Sequence, residues 1–246
     1  MSNVAPALKL HTGPAYRLLV QRVSQLKKAR NYLEIGVHNG STIELIDCPT
    51  IGVDPEFVFK NNPMGRKPLL HLYQQTSDDF FRDHDPRTIL GSEVDLAFLD
   101  GLHLFEFLLR DFMNTERVCA RDSLILMDDC LPPSLEMTER DHKPELRSDP
   151  SRKGWWTGDV WKVVSVLRQY RPDLTIMAVD VFPTGCIVVG NLDPHSTVLS
   201  TTYDEIMERY LHLEMTEDVF EAYWRTNMPM EANAALQTLR ASGYWR

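Results

Sequence analysis

Asp54, Asp100, Asp128 and Asp129 each follow a short apolar run: Ile51-Gly52-Val53, Val94 to Leu99, and Ser123 to Met127. In an open α/β sheet the ligand lies beyond the carboxyl ends of the strands, so acids in this position can meet in one site. If the strands before Asp100 and Asp128 neighbour each other, three carboxylates converge. At that separation they repel, and either some take up protons or a cation sits among them. An all-oxygen set selects a hard ion, Mg²⁺ before Mn²⁺ or Ca²⁺, with water or substrate oxygens completing its shell. The plainer use of each aspartate is to cap the next helix. Side chains alternate along a strand, so Asp128 and Asp129 share a site only if the strand has ended there.

The acids need a partner ligand, and residues 31 to 54 suggest one. Tyr32, Leu33 and Ile35 read as a buried parallel strand, followed by a turn bracketed by Gly36 and Gly40, where a backbone without Cβ can approach a ligand closely. Ser41 or Thr42 would cap the helix that follows. Asp54 closes the second strand at close to the spacing, about 20 residues, of the acid that binds a ribose. A dinucleotide site would read G-x-G-x-x-G with its pyrophosphate on a helix N-terminus. Here the pattern is E-x-G-x-x-x-G. S-adenosylmethionine has no phosphates, and its cationic sulfonium and amino groups favour an acid such as Glu34.

This stretch resembles motif I and the following ribose-binding acid of the class I S-adenosylmethionine-dependent methyltransferases. The resemblance covers about residues 30 to 190. It implies cofactor contacts from Glu34, Gly36, Gly40, Ser41, Asp54 and Asp100, and it lays the end of the third strand, Thr76, Ser77 and Asp78, against the adenine. A nicotinamide enzyme is the remote rival. Asp100, Asp128 and Asp129 also resemble the ligand set of metal-dependent O-methyltransferases, the macrolide-sugar enzymes above all. Those place a histidine base three residues after the first ligand, as Asp100-Gly101-Leu102-His103 does here; the catechol enzyme has a lysine there. The resemblance therefore implies Mg²⁺ held by Asp100, Asp128 and Asp129, with His103 taking the proton of a small-molecule or sugar hydroxyl. Such a transfer needs no covalent intermediate, so the lack of a serine or cysteine nucleophile motif is no objection.

These residues require strands alternating with helices. Residues 14 to 29 predict a lead-in helix, 41 to 46 the first crossover helix, 68 to 75 a third strand, 104 to 117 a helix between the acid-ended strands, and 174 to 189 a hairpin. The expected fold is α/β: a Rossmann-like, doubly wound, mostly parallel seven-stranded sheet with an antiparallel last strand. It divides into a helical lead-in over 1–30, a cofactor-binding domain over 31–191 and a helical extension over 192–246. Residues 131–158 are polar, contain prolines and lack periodicity, as a lid or mobile segment does. Trp155 and Trp156 follow, as core or as the wall of a sugar or aromatic site. Asp159 is expected to cap its own helix, and Lys162 and Arg152 to be solvated.

At 246 residues and 43% hydrophobic, the chain can bury one sizeable core. Its net charge of −9 argues against nucleic acid and anionic membranes. The four cysteines form no C-x-x-C pair, which fits reduced thiols in a cytoplasmic protein. No apolar run reaches the roughly 18 residues of a membrane span, and the N-terminus does not read as a leader. A homodimer through the C-terminal helices is a further expectation. Two rivals remain: a metal-independent methyltransferase on another small acceptor, and a non-catalytic protein that keeps the cofactor pocket.

Overall fold

The structure, a computed structural model, describes residues 8–245. After α1 (Tyr16–Lys27) come β1 (Tyr32–Ile35), β2 (Thr50–Val53), β3 (Leu70–Tyr73), α2 (Ser77–Asp83), α3 (Pro86–Leu90), β4 (Val94–Leu99), α4 (Phe105–Glu116) and β5 (Cys119–Asp128). Then follow α5 (Trp161–Tyr170), β6 (Thr175–Asp180), β7 (Cys186–Gly190), α6 (Val198–Thr201), α7 (Tyr203–Tyr210), α8 (Glu217–Thr226), β8 (Met230–Glu231) and α9 (Ala232–Ala241).

The strands form one sheet in the order β3-β2-β1-β4-β5-β7-β6-β8. β1 to β5 pair in parallel, while β7 runs antiparallel between β5 and β6. The Rossmann-like expectation therefore holds, with one addition. An eighth strand, two residues long, comes from the C-terminal extension and pairs with β6. Two residues carry no alternation that a sequence pattern could reveal.

β1, β2 and β4 are buried along their whole length, because helices cover both faces. One face packs Leu33, Ile35, Ile51 and Val53 against Phe80, Phe105, Phe112, Val164, Ile206 and Tyr223. The other packs Tyr32, Leu96 and Phe98 against Leu19, Val20 and Val23 of α1 and Leu236 and Leu239 of α9. The extension thus spends its apolar faces on the shared core. Truncating a fully buried side chain such as Phe112 to alanine costs about 3–5 kcal/mol.

The predicted crossover helix over 41–46 is a correction: only a single 3₁₀ turn, Ile43–Leu45, forms there. Between Gly40 and Pro49 there is room for little more, and β-branched residues take up part of it. Ser41 does not cap a helix; its N–H donates to Asn39 Oδ1 at 3.0 Å. No helix among the described residues is long and apolar enough to cross a membrane.

Candidate active site

The direction of strand succession reverses between β1 and β4, so the carboxyl ends of these two strands open a crevice. Two hydrogen bonds hold its lip: Asp100 N–H donates to Ile35 O at 2.8 Å and Gly36 N–H to Val53 O at 2.9 Å. Gly36 has φ +88°, and a Cβ there would stand 1.9 Å from the Asp100 carbonyl oxygen. Only glycine lets the two strand ends close to this distance.

The crevice has a volume of about 700 Å³. Six carboxylates line it, those of Glu34, Asp54, Asp100, Asp111, Asp128 and Asp129, and among the described residues no lysine or arginine does. The sequence-predicted Glu34, Gly36, Ser41, Asp54, Ser77, Asp100, His103, Asp128 and Asp129 all reach this one cavity. Gly40 stands apart: it is not in the cavity wall, and a Cβ on it would meet the Phe59 ring.

Each acid is held differently. Asp54 accepts from the His38 N–H at 2.7 Å and the Glu56 N–H at 2.8 Å, which fixes its carboxylate at the end of β2. Glu34 accepts the Tyr32 phenol at 2.7 Å, and burial pushes its carboxyl up to about 8, so near neutral pH it holds its proton for much of the time. Asp100 is raised to about 6, chiefly by burial. Asp128 is also driven upward, by burial and by the charges of Asp129 and Asp100. Adjacent Asp128 and Asp129 both face the crevice because β5 stops at Asp128 and Asp129 turns left-handed, φ +58°.

His103 sits among these acids. Its Nε2 lies 3.1 Å from Asp129 Oδ2 and 3.7 Å from Asp100 Oδ1. Its Nδ1 is 2.7 Å from the Trp156 carbonyl oxygen, which can only accept, so Nδ1 carries a hydrogen and the other nitrogen faces the carboxylates. Burial opposes the imidazolium, but Asp129 and Asp100 together outweigh it and raise the imidazole to about 10. Asp100, His103 and Asp129 each offer a ligand atom within 4.8 Å of the others. Two carboxylates and an imidazole suit a divalent cation. Asp128 does not join that group, and its Oδ1 has no hydrogen-bond partner.

The segment over 131–158, expected as a lid or mobile segment, is held by buried hydrogen bonds of its own. The Arg147 guanidinium, wholly buried, donates to the carbonyls of Trp155 and Glu136 and pairs with Glu139 at 2.6 Å. Trp156 Nε1 donates to Glu139 O at 2.7 Å, and the Trp156 ring is stacked between His103 and His142. Gly158, at φ +55°, seats the lid on β4's exit loop, since a Cβ there would stand 1.7 Å from the His103 carbonyl oxygen. Trp155 and Trp156 line the cavity as wall residues.

Two expectations about the helix after the lid are corrected. Asp159 does not cap α5; its Oδ1 accepts the Phe105 N–H at 2.8 Å and so caps α4. Lys162 is buried, its Nζ 2.7 Å from Asp159 Oδ2, because the paired charge repays the loss of water. Arg152 is half-buried, paired with Asp149 and lying over the Trp155 ring.

Among the wall residues that sequence reasoning missed are Tyr16 from α1, Gln75 beyond β3, Asp111 from α4 and Thr184 from the β6–β7 turn. Asp111 looks like the polar face of an amphipathic helix, and nothing in its spacing marks it out.

Residues 33–130 match the model of a methyltransferase domain. No curated protein matches the chain. Among solved structures, the O-methyltransferase TomG of Streptomyces achromogenes, crystallised with S-adenosylmethionine, is 17% identical; the match covers 71% of this chain and 78% of that one, at a TM-score of 0.50. An O-methyltransferase of Bacillus cereus, crystallised with S-adenosylhomocysteine, is 13% identical over 72% of this chain and 80% of that one, at a TM-score of 0.49. At such identities the likeness is one of fold. With the domain match beside it, the chain is an enzyme of the methyltransferase class.

Proposed function

We propose that this methyltransferase uses S-adenosylmethionine to methylate a hydroxyl of a small molecule or sugar, with a divalent cation, Mg²⁺ before others, assisting and with His103 as general base. The observation that carries the reading is the placing of His103 Nε2 toward Asp129 and Asp100, at the mouth of a crevice that also holds Asp54. S-adenosylmethionine supplies an electrophilic methyl group on a cationic sulfonium. Six acidic side chains with no lysine or arginine in the wall, several of them holding protons that a cationic ligand would displace, suit a cation and oppose a pyrophosphate. The three-residue turn at Ile43–Leu45 opposes it too, since so short a turn has almost no macrodipole for phosphate.

The chain's own groups then have these roles. Asp54, fixed by two backbone N–H donors, accepts from a ribose. Asp100 and Asp129 would hold the cation, with Asp128 beside them. That cation would supply neutralisation of the carboxylates and Lewis acidity toward an acceptor oxygen. The Trp156 carbonyl fixes the His103 tautomer; a cation neutralising Asp100 and Asp129 would remove the charges that raise the imidazole to about 10, so that Nε2 could then receive the acceptor's proton. Trp155, Trp156 and the lid behind them exclude water from the acceptor side.

A metal-independent reading draws on one observation: Nε2 is already 3.1 Å from Asp129 Oδ2, as in a histidine–aspartate dyad. One experiment separates the two. S-adenosylhomocysteine binding is measured by calorimetry, then methyl transfer to a panel of vicinal diols and monohydroxylic acceptors, with Mg²⁺ and after exhaustive chelation. The main reading expects binding, transfer to a diol and loss of transfer on chelation. Transfer that survives chelation favours the dyad, and no cofactor binding overturns both.

A further inference from the structure

We propose that the methyl acceptor is an amino sugar or aminocyclitol, and that Asp128 Oδ1 and Thr184 Oγ1 receive its ammonium group beside the hydroxyl that is methylated. This rests on the methyl-transfer reading above and names its substrate class. Asp128 is 5% exposed and Thr184 2%, yet both line the crevice, and Asp128 Oδ1 and Thr184 Oγ1 have no hydrogen-bond partner. They belong to adjoining elements. β5 and β7 pair with Asp128 opposite Cys186, and the turn before Cys186 carries Thr184, whose carbonyl oxygen accepts the Leu131 N–H at 3.2 Å. Native interiors rarely leave two such groups unpaired in one wall unless a ligand completes them. Asp128 also stands outside the group of ligand atoms formed by Asp100, His103 and Asp129, so a cation held there does not account for its free oxygen.

Charge decides what kind of ligand completes the pair. Both unpartnered atoms can accept a hydrogen bond, and an ammonium group has three hydrogens to donate. A divalent cation between Asp100 and Asp129 would offset those two carboxylates, and His103 must be neutral to act as a base, which leaves Asp128 without a counter-charge. The cations of the lid and of α5 are committed elsewhere: Arg140 to Glu106 and Asp159, Arg147 to Glu139, Arg152 to Asp149 and Lys162 to Asp159. The sulfonium loses its charge in the transfer itself. A buried carboxylate without a partner is costly, so a group that brings positive charge binds there more strongly than a neutral hydroxyl, and a carboxylate or phosphate is repelled. Asp128 and Asp129 are adjacent, and Asp129 Oδ2 is 3.1 Å from His103 Nε2, so the ammonium and the reacting hydroxyl lie close enough to share one ring. Trp155, Trp156 and Pro183 offer an apolar wall against which that ring can lie.

The test titrates three sugars that differ at one ring carbon, glucosamine, N-acetylglucosamine and glucose, into protein loaded with S-adenosylhomocysteine and Mg²⁺. Dissociation constants are read by NMR at a pH where the glucosamine amine is protonated, so no turnover is needed. Wild-type protein should bind glucosamine more tightly than either neutral sugar by on the order of tenfold to a hundredfold, as a hydrogen bond between charged groups does. In Asp128→Asn, which keeps the shape and removes the charge, that preference should collapse to within about threefold. Thr184→Val removes only the second contact and should lower it by about two- to tenfold. Equal weakening of all three sugars in Asp128→Asn, with the preference intact, would make Asp128 a metal ligand or a structural group and overturns the inference. Wild-type protein that binds S-adenosylhomocysteine but shows no preference for glucosamine, or binds none of the three sugars, overturns it as well and leaves the methyl-transfer reading standing. Failure to bind S-adenosylhomocysteine at all strikes the cofactor reading, and this inference falls with it.

Discussion

His103 Nε2 lies 3.1 Å from Asp129 Oδ2, although the helix α4 and the strand β5 separate the two in the chain. His103 leaves β4 and Asp129 leaves β5, and parallel pairing of those strands brings their exits side by side. The lid then locks the ring from behind through the Trp156 carbonyl.

This placement makes His103→Gln diagnostic. The amide can keep a hydrogen bond to Trp156 but cannot take a proton. The turnover number should fall by about 10²–10⁴-fold, while S-adenosylhomocysteine affinity stays within a factor of about two to three, as expected when ground-state cofactor binding is untouched. Initial rates and calorimetry on the same preparation check this; equal losses in both would assign His103 to cofactor binding.

Gly36→Ala should destabilise the protein far more than Gly91→Ala. Both glycines have positive φ, +88° and +74°, so both substitutions carry backbone strain on the order of 1–3 kcal/mol. Only at Gly36 does the new methyl also strike the Asp100 carbonyl oxygen; at Gly91 nothing lies within 4 Å. Urea unfolding of the two variants gives the comparison, and similar losses would mean that the crevice lip can spread to admit a methyl.

Much of this site was legible in the sequence because strands, glycines and acids are local signals. The run before Asp54, the apolar stretch before Asp100 and the interval from Asp100 to His103 each fit into a few residues. What was not legible depends on tertiary contact. The hydrogen bond that orients His103 comes from a backbone carbonyl, at Trp156, which no side-chain pattern can announce. Asp111 sits between Arg110 and Phe112 like any solvent-facing helical residue, and only the packing of α2 on α4 buries it. Gly40, which the motif assigns to the cofactor, is not among the cavity-wall residues and lies beside the Phe59 ring.

Stability should respond to pH through Asp111. Its carboxyl is held up to about 7 by burial in the folded protein, against about 4 in an unfolded chain. A raised folded pKa gives stability that is complete below about pH 4 and is lost as pH climbs through the window to about 7. Asp111→Asn removes this loss. Relative to wild type, the variant should therefore gain stability between pH 5 and pH 8, by at most about 1.4 kcal/mol per pH unit within the window. Glu34, Asp100 and Asp128 are raised in both proteins, so the difference isolates Asp111. Thermal unfolding across pH reads it, and a flat difference would mean that the carboxylate is tolerated where it lies.

Arg147→Met should loosen the lid without unfolding the sheet. The buried guanidinium ties together Glu136, Glu139 and Trp155, and its removal leaves the Glu139 carboxylate and three carbonyl acceptors short of a donor. Loss of a buried charge partner costs about 3–5 kcal/mol, here confined to the segment it organises. Amide exchange should rise over 134–157 and stay unchanged in β1, β4 and β5. Protection lost uniformly across the protein would show that lid and sheet unfold as one unit.

On the proposed reading, a cation's ligand set can be separated from the base by titrating Mn²⁺ and following proton relaxation. Asp100 and Asp129 bring carboxylate oxygens into the same small volume as His103 Nε2, whereas Asp128 lies outside that group. Asp100→Asn and Asp129→Asn should each weaken Mn²⁺ by on the order of tenfold or more, the loss that even outer-shell partners can cause. If His103 is the base, His103→Gln should spare Mn²⁺ affinity, because a nitrogen that accepts a proton in each turnover cannot also be held by the cation. If His103→Gln weakens Mn²⁺ as strongly as the aspartate variants do, His103 is a ligand and the proton must leave by another route. Asp128→Asn tests the three-carboxylate set: its unpartnered Oδ1 must shift toward the others to bind, so a loss comparable to that at Asp129 would mean that the cation itself draws Asp128 inward.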